Sequence, residues 1–318
     1  MLDFTVAIPT YNGSRRLPQL LERLRSQTHT EHFSWAIVVV DNNSTDDTQA
    51  VVRWAQANWG QDSPTLHYVF EKSQGAAFAR IKAMEHAQSE WVGFLDDDVI
   101  PADDWVAQAY AFAKEHPDAG AYGGQIHGNF EIEPPANFAR IQSFLAIRER
   151  GPVPHRYDPN NLVLPPAAAW VVRKQAWQAN VPLHPHLGGR TRRSVVQGDD
   201  YEPLLYMHRN NWKIWYNPEM HVFHQIPKSR LERSYLTALS RGCGLCICQL
   251  RMINTRIWQK PFLFAKLLLS NLRRVVLHWL KYRHLIQTDL VAACEMEFFV
   301  GSFVSPLFYL KTLLFSKR

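Results

Sequence analysis

Three adjacent aspartates, Asp96, Asp97 and Asp98, stop an apolar run in the segment WVGFLDDDVI at 91–100. Trp91, Val92, Phe94 and Leu95 give the pattern of a short buried strand, so the carboxylates fall at a strand's end. Three neighbouring negative charges repel one another and resist burial without a cation or ordered donors. A divalent metal carrying a phosphate-bearing ligand meets that demand, because hard cations take oxygen ligands. A solvated acidic turn before Pro101, with a helix capped near Asp103, meets it as well. This stretch alone leaves both readings open.

Further polar clusters are spaced along the chain. The first strand is expected to run into AIPTYNG at 7–13 and the second into VVVDNNSTDDT at 38–48. Asp41, at the second strand's end, can accept a hydrogen bond from a nucleobase imide, while the backbone at Pro9, Thr10 and Tyr11 frames the same base. A turn built from Asn42, Asn43, Ser44 and Asp46 accounts for Asp41 equally well. In EKSQGAAFAR at 71–80, Gly75 permits close backbone approach at a helix N-terminus, a place that favours anions. Arg80 then bonds a diphosphate, braces the acidic cluster, or is an ordinary surface arginine. In QGDDYEPLLY at 197–206, Asp199 and Asp200 open a helix, as caps or with one of them as a general base. Further on, IWYNPEMHVFHQIPKSRL at 214–231 supplies His221 and His224. A lone histidine is usually structural, but an acidic metal candidate makes a histidine ligand a natural partner.

The elements that must position these residues alternate. Residues 4–8, 35–40, 66–70 and 91–95 read as strands, and 17–25, 48–59 and 76–87 as helices. Such alternation implies an α/β fold, a mostly parallel sheet flanked by helices, with ligands beyond the strands' carboxyl ends. From 128 to 165 the pattern loosens around Pro134, Pro135, Pro152, Pro154, Pro159 and Pro165, which reads as an irregular acceptor-side insertion.

At 318 residues with 46% hydrophobic and 20% charged residues, the chain is expected to fold around a full core. The N-terminus shows no basic segment leading into a long apolar one, so no secretory signal is expected. Four cysteines, all after position 242, fit a reducing compartment rather than a disulfide framework. Cys243, Cys246 and Cys248 read as small buried helix residues, since structural zinc wants four ligands and only the distant Cys294 remains.

Charge divides the chain. Residues 1–227 carry 20 Lys/Arg and 25 Asp/Glu, net −5, whereas 228–318 carry 15 and 4, net +11. Within the tail, Lys266, Ser270, Arg273, Arg274, His278 and Lys281 form a polar stripe on an otherwise apolar helix over 262–281. A basic amphipathic helix of this kind lies in a membrane interface. A second apolar stretch, 298–315, is broken by Pro306 and Lys311 and is marginal for spanning a bilayer. The alternative is two helices packed on the domain. Nucleic acid is a poorer partner, because the cations accompany apolar runs rather than exposed stacking aromatics.

Taken in order, AIPTYNG, DNNSTDDT, the Gly75–Arg80 segment, LDDD, the Asp199–Asp200 pair and His224 resemble the family 2 inverting glycosyltransferases with the GT-A fold. The resemblance spans residues 4–231. It implies a nucleotide-sugar donor, usually a UDP-sugar, and a divalent metal, Mg2+ or Mn2+. By it, Asp41 contacts uracil, Asp96 and Asp98 form the DxD pair with Asp98 at the metal, Asp200 is the catalytic base, and His224 lies near metal and diphosphate. Two departures stand out. Asp199 replaces the family's glutamate, and Asp97 is a competitor for the metal shell. The segments GAYGGQIHGNFE, ERGPVPHRY, VVRKQAW and VAACEMEF further resemble the hormogonium polysaccharide biosynthesis glycosyltransferases of filamentous cyanobacteria. In that group glycine is expected within the segment held here by Pro165 to Ala169.

The expectation is therefore a catalytic domain over 1–227, with a nucleotide-sugar half to about 100 and an acceptor half beyond. A basic helical region over 228–318 would sit on the cytoplasmic face of a membrane. The reaction expected is inverting sugar transfer to a glycan or lipid-linked acceptor. A catalytically silent scaffold that binds nucleotide-sugar or membrane is the competing class.

Overall fold

The computed structural model describes residues 2–60, 63–189 and 195–315. Lys317 and Arg318, counted in the tail's charge, lie outside the described residues. The first half alternates as expected: β1 (Leu2–Thr10), α1 (Leu17–Arg25), β2 (Trp35–Asp41), α2 (Thr48–Ala57), β3 (Thr65–Phe70), α3 (Ala76–His86) and β4 (Ser89–Leu95). These four strands are parallel, in the order β3-β2-β1-β4. β2 is buried along its whole length, which explains its unbroken apolar run WAIVVVD. Helix α1 inserts Leu17, Leu20, Leu21 and Leu24 into the core at helical spacing.

The second half follows with β5 (Val99–Pro101), α4 (Trp105–Glu115), β6 (Ala119–Phe130), β7 (His155–Arg156), β8 (Ala169–Arg173), α5 (Lys174–Asn180), α6 (Tyr201–Arg209) and β9 (Lys213–Ile226). Here the sheet turns mixed. β8 runs antiparallel between β4 and β6, β9 lies parallel to β6, and β5 is antiparallel to β9. The antiparallel β8 brings the proline-rich stretch back to the end of β4, where the Ala168 carbonyl accepts from the Asp96 N–H at 3.1 Å. Between β6 and β8 there are only short 3₁₀ turns and the two-residue β7, as the proline density predicts.

The tail forms α7 (Arg233–Leu245), α8 (Ile247–Ile253), α9 (Lys260–Tyr282) and α10 (Leu290–Phe315). Two expectations about it need correction. Pro306 does not break α10. The carbonyl that a proline leaves free four residues back, that of Ser302, accepts from Asn271 Nδ2 at 3.1 Å and Ser305 Oγ at 2.7 Å, so the helix continues. His278 does not belong to an outward polar stripe: it is buried, 2.9 Å from the Ala292 carbonyl. Helix α9 thus turns Leu267, Asn271 and His278 inward and leaves Phe262, Leu269, Leu272, Val276, Leu277, Trp279 and Leu280 exposed. Among the described residues one helix, over Leu290–Leu314, is long and apolar enough to cross a membrane by length and composition, and 44% of its most apolar stretch is buried against the protein.

Candidate active site

The three carboxylates at the end of β4 face three different partners. Asp97 accepts a forked pair of bonds from Arg16, Nε at 2.8 Å and Nη2 at 2.9 Å, and a further one from the Thr10 hydroxyl. The bidentate guanidinium thus holds both Asp97 oxygens. Asp98 accepts from Arg230 Nη2, and its other oxygen lies 3.6 Å from His224 Nε2. Burial pushes the Asp98 carboxyl up, but the Arg230 guanidinium bonded to it favours the charged form, and the group lies below the ordinary carboxylate range. Asp96 has no such donor among the described residues. Burial, with Asp98 and Asp97 beside it, pushes it up to about 6 despite the charge of Arg80.

Across the site, Asp199 forms a buried ion pair with Arg80 Nη1 at 2.7 Å. Arg80 therefore bonds the Asp199–Asp200 pair rather than the triplet. Asp200 caps α6 by accepting from the Tyr201 N–H at 2.9 Å, and burial plus the charge of Asp199 push it up to about 7. A carboxyl there changes protonation near neutrality, which suits a general base. Its surroundings are fixed by a loop the sequence did not single out. Glu202 is buried and accepts from the N–H groups of His186 and Leu187 at 3.1 and 2.8 Å. That loop carries Gly188, whose carbonyl would lie 2.4 Å from a Cβ at residue 75. Gly75, at φ +135°, thus makes room for the backbone of that loop.

On the β1–β2 side, Thr10 and Asp41 are buried while Pro9 and Tyr11 are partly exposed. Asp41 accepts from the Tyr68 hydroxyl at 2.8 Å and the Ser44 N–H at 2.9 Å. It serves as a turn residue, and a carboxylate retains lone pairs for a further donor. The two histidines separate. Residues 221 and 224 point to opposite faces of β9, an odd spacing in a strand. His221 bonds His127 at 2.9 Å, itself bonded to Glu149, away from the triplet.

His224 Nδ1 lies 2.8 Å from the Leu145 carbonyl, which only accepts, so this nitrogen carries the proton. The other, Nε2, presents a lone pair, taken up by Arg230 Nη1 at 2.7 Å. Carboxylate oxygen plus an imidazole nitrogen oriented by a backbone carbonyl is a donor set that fits a divalent cation. Arg230 bridges both donors, which shows that this point demands positive charge. Among the described residues no three His, Cys, Asp or Glu side chains converge on one point, so further ligands would come from diphosphate and water.

Asp96, Arg80, Asp199 and Asp200 line one cavity of about 430 Å³. Helices from beyond residue 227 close it: Cys243, Cys246, Ile247, Leu250 and Phe298 form its far wall. Burial pushes the Cys243 thiol up to about 12, so the wall stays neutral. Sequence reading missed Arg16, Arg148 and Arg230, which reach the site from distant segments. Arg230 alone left a trace, as a cation six residues after His224.

A profile of glycosyl transferase family 2 matches residues 5–175, more than half the chain. The putative teichuronic acid biosynthesis glycosyltransferase TuaG of Bacillus subtilis is 30% identical over 121 residues, 38% of this chain and 45% of TuaG. The chain thus spans less than half the length of that relative. Among solved structures, a mannosyltransferase of Pyrobaculum calidifontis in complex with GDP-Man and Mn2+ superposes with a TM-score of 0.60 at 19% identity, covering 97% of this chain and 90% of that one. Staphylococcus aureus TarS 1–349 in complex with UDP-GlcNAc gives 0.52 at 15% identity, covering 98% and 92%. These likenesses establish the GT-A fold.

Proposed function

Because the chain belongs to glycosyl transferase family 2, we propose that it is a metal-dependent inverting glycosyltransferase of polysaccharide biosynthesis, moving a sugar from a nucleotide-sugar to a glycan or lipid-linked acceptor. The observation that carries this reading is the single cavity lined by Asp96, Arg80, Asp199 and Asp200 at the carboxyl end of β4. Asp200 accepts the acceptor hydroxyl's proton as that oxygen attacks the anomeric carbon, and one displacement inverts it. Arg80 pairs with Asp199 beside it, and the charge of Asp199 adds to the burial that raises Asp200. Asp98 and His224 would hold Mg2+ or Mn2+, which offsets charge on the departing nucleoside diphosphate. Pro9, Thr10, Tyr11, Asp41, Gly75 and Asp97 form the donor side, with UDP the nucleotide favoured by the family resemblance and by TarS. The wider motif resemblance favours the hormogonium polysaccharide group.

We assign catalysis to residues 1–227 and membrane contact to 228–318, at the cytoplasmic face. Exposed Leu269, Leu272, Val276 and Trp279 on α9, interleaved with Lys266, Arg273, Arg274 and Lys281, support that assignment.

The test is a panel of UDP- and GDP-sugars with Mg2+ or Mn2+, read as binding and as release of nucleoside diphosphate. One donor class is expected to bind and turn over, with chelation and Asp98→Ala each abolishing both. Chelator-sensitive binding that survives in Asp98→Ala removes Asp98 from the metal site. A wild-type chain that binds no nucleotide-sugar overturns the reading. For the tail, each cation near an anionic surface contributes about 1 kcal/mol. Neutralising Arg273, Arg274, Lys281 and Arg283 should release the protein from anionic liposomes at low salt, with donor binding unchanged.

A further inference from the structure

We propose that Arg148 is an acceptor-specificity residue of the catalytic cavity, and that the acceptor it selects bears a phosphate beside an apolar chain, a lipid-phosphate-linked saccharide. This rests on the transferase reading above and narrows its acceptor. Arg16, Arg80 and Arg230 each meet an aspartate. Arg148, among the described residues, meets no carboxylate. Its Nη1 donates to its neighbour's carbonyl, that of Ile147, at 2.9 Å, its Nη2 to the Tyr201 hydroxyl at 3.2 Å, and its buried Nε has no partner among the described residues.

A guanidinium carries five donors in a fixed fork suited to phosphate. Here two reach neutral oxygens and one is buried unsatisfied, an arrangement that costs free energy until an anion fills it. The backbone is held in place, since Arg148 and Ile126 exchange N–H···O bonds at 2.9 and 2.8 Å. Arg148 lines the same cavity as Asp200, and the tyrosine it bonds is the residue next to that base. An anion bound there would share the cavity with Asp200, where the proposed reaction places the acceptor hydroxyl.

Much of the remaining lining is apolar, although Ser143 and Gln197 also reach the cavity. Phe144, Ile247, Leu250 and Phe298 line it, together with neutral Cys243 and Cys246. Saccharide hydroxyls gain nothing from such a wall, whereas a hydrocarbon chain buries surface against it. Its helices, α8 and α10, pack on each other, and α10 packs on α9, the helix with the exposed apolar face. A membrane-borne acceptor would thus meet lipid-facing surface and cavity wall on one helical layer.

Calorimetry on the full chain with citronellyl phosphate, citronellol and inorganic phosphate tests this. Citronellyl phosphate is expected to bind at least about tenfold more tightly than either half alone. Arg148→Gln should weaken it by about ten- to a hundredfold, the scale of a charged hydrogen-bond pair, and Arg148→Lys should recover part. Ile247→Ser should weaken citronellyl phosphate but not inorganic phosphate. Arg273→Gln with Arg274→Gln should leave it unchanged, which separates the cavity from the α9 surface. UDP affinity unchanged in Arg148→Gln reports an intact fold and donor side. Equal binding by wild type and Arg148→Gln overturns the proposal, as does loss of UDP affinity with it. Inorganic phosphate binding as tightly as citronellyl phosphate overturns the lipid assignment and leaves a soluble anionic acceptor. If no nucleotide-sugar binds the wild type, the transferase reading falls on its own evidence, and the Arg148 comparison is still read.

Discussion

Two acidic clusters face each other across this molecule, and they solve like-charge crowding in opposite ways. At the end of β4, two of the three carboxylates meet a cation each: Arg16 takes Asp97, and Arg230 takes Asp98, which stays below the usual range, while Asp96, without such a donor among the described residues, is pushed up to about 6. At the start of α6, one cation serves a pair. Arg80 goes to Asp199, and Asp200, buried beside that charge, is pushed up to about 7. The same residue type becomes a fixed anion where a guanidinium outweighs burial, as at Asp98, and a proton acceptor where burial beside another carboxylate wins, as at Asp200. Which it becomes depends on how many cations the fold delivers, not on how many carboxylates the sequence places together.

The comparison breaks most sharply at Asp200. Asp200→Asn keeps the shape and removes the base, so turnover should fall by about 10²–10⁴-fold while UDP binding survives. Turnover near wild type would move proton removal to another group, Asp199 first. Next in size is Arg80→Met, which leaves Asp199 buried without a countercharge. Denaturant unfolding should show a loss of about 3–5 kcal/mol, and the double change with Asp199→Asn should recover much of it. If the single variant is as stable as wild type, that ion pair does not organise the cluster.

The pH dependence sharpens the contrast. Asp200 must be ionised to accept a proton, so turnover should fall about tenfold per unit below pH 7 and level off above it. Its contribution to stability runs the other way. Its folded value lies above the ordinary one of about 3.9, so that contribution is full below about pH 4 and is lost as pH rises through about 7. Asp200→Asn should abolish this part of the stability profile. The smallest expected effect is that of Asp199→Asn, which removes the neighbouring charge and should move the activity inflection down by about one unit. An inflection that stays put would assign the upward push to burial alone.

Local pattern determined much of this protein from sequence. The four parallel strands and three helices of the first half follow the hydrophobic periods closely, because unbroken apolar runs such as that of β2 have no other stable placement. The acidic triplet, Asp41, Arg80, the Asp199–Asp200 pair and His224 were legible as chemistry-bearing residues at element ends. Their partners were not. Arg16 lies 81 residues from Asp97, and Arg230 lies 132 from Asp98. The contact between Arg80 and Asp199 spans 119 residues, and no local spacing encodes such distances. The tail shows the same limit. Its composition marked it as basic and apolar, but only packing decided that Asn271 and His278 turn inward and that Asn271 relieves the carbonyl freed by Pro306. Nearest-neighbour sequence fixes which groups exist and which face of a helix or strand they share. Long-range packing decides which charge meets which, and therefore which aspartate holds its charge and which takes a proton.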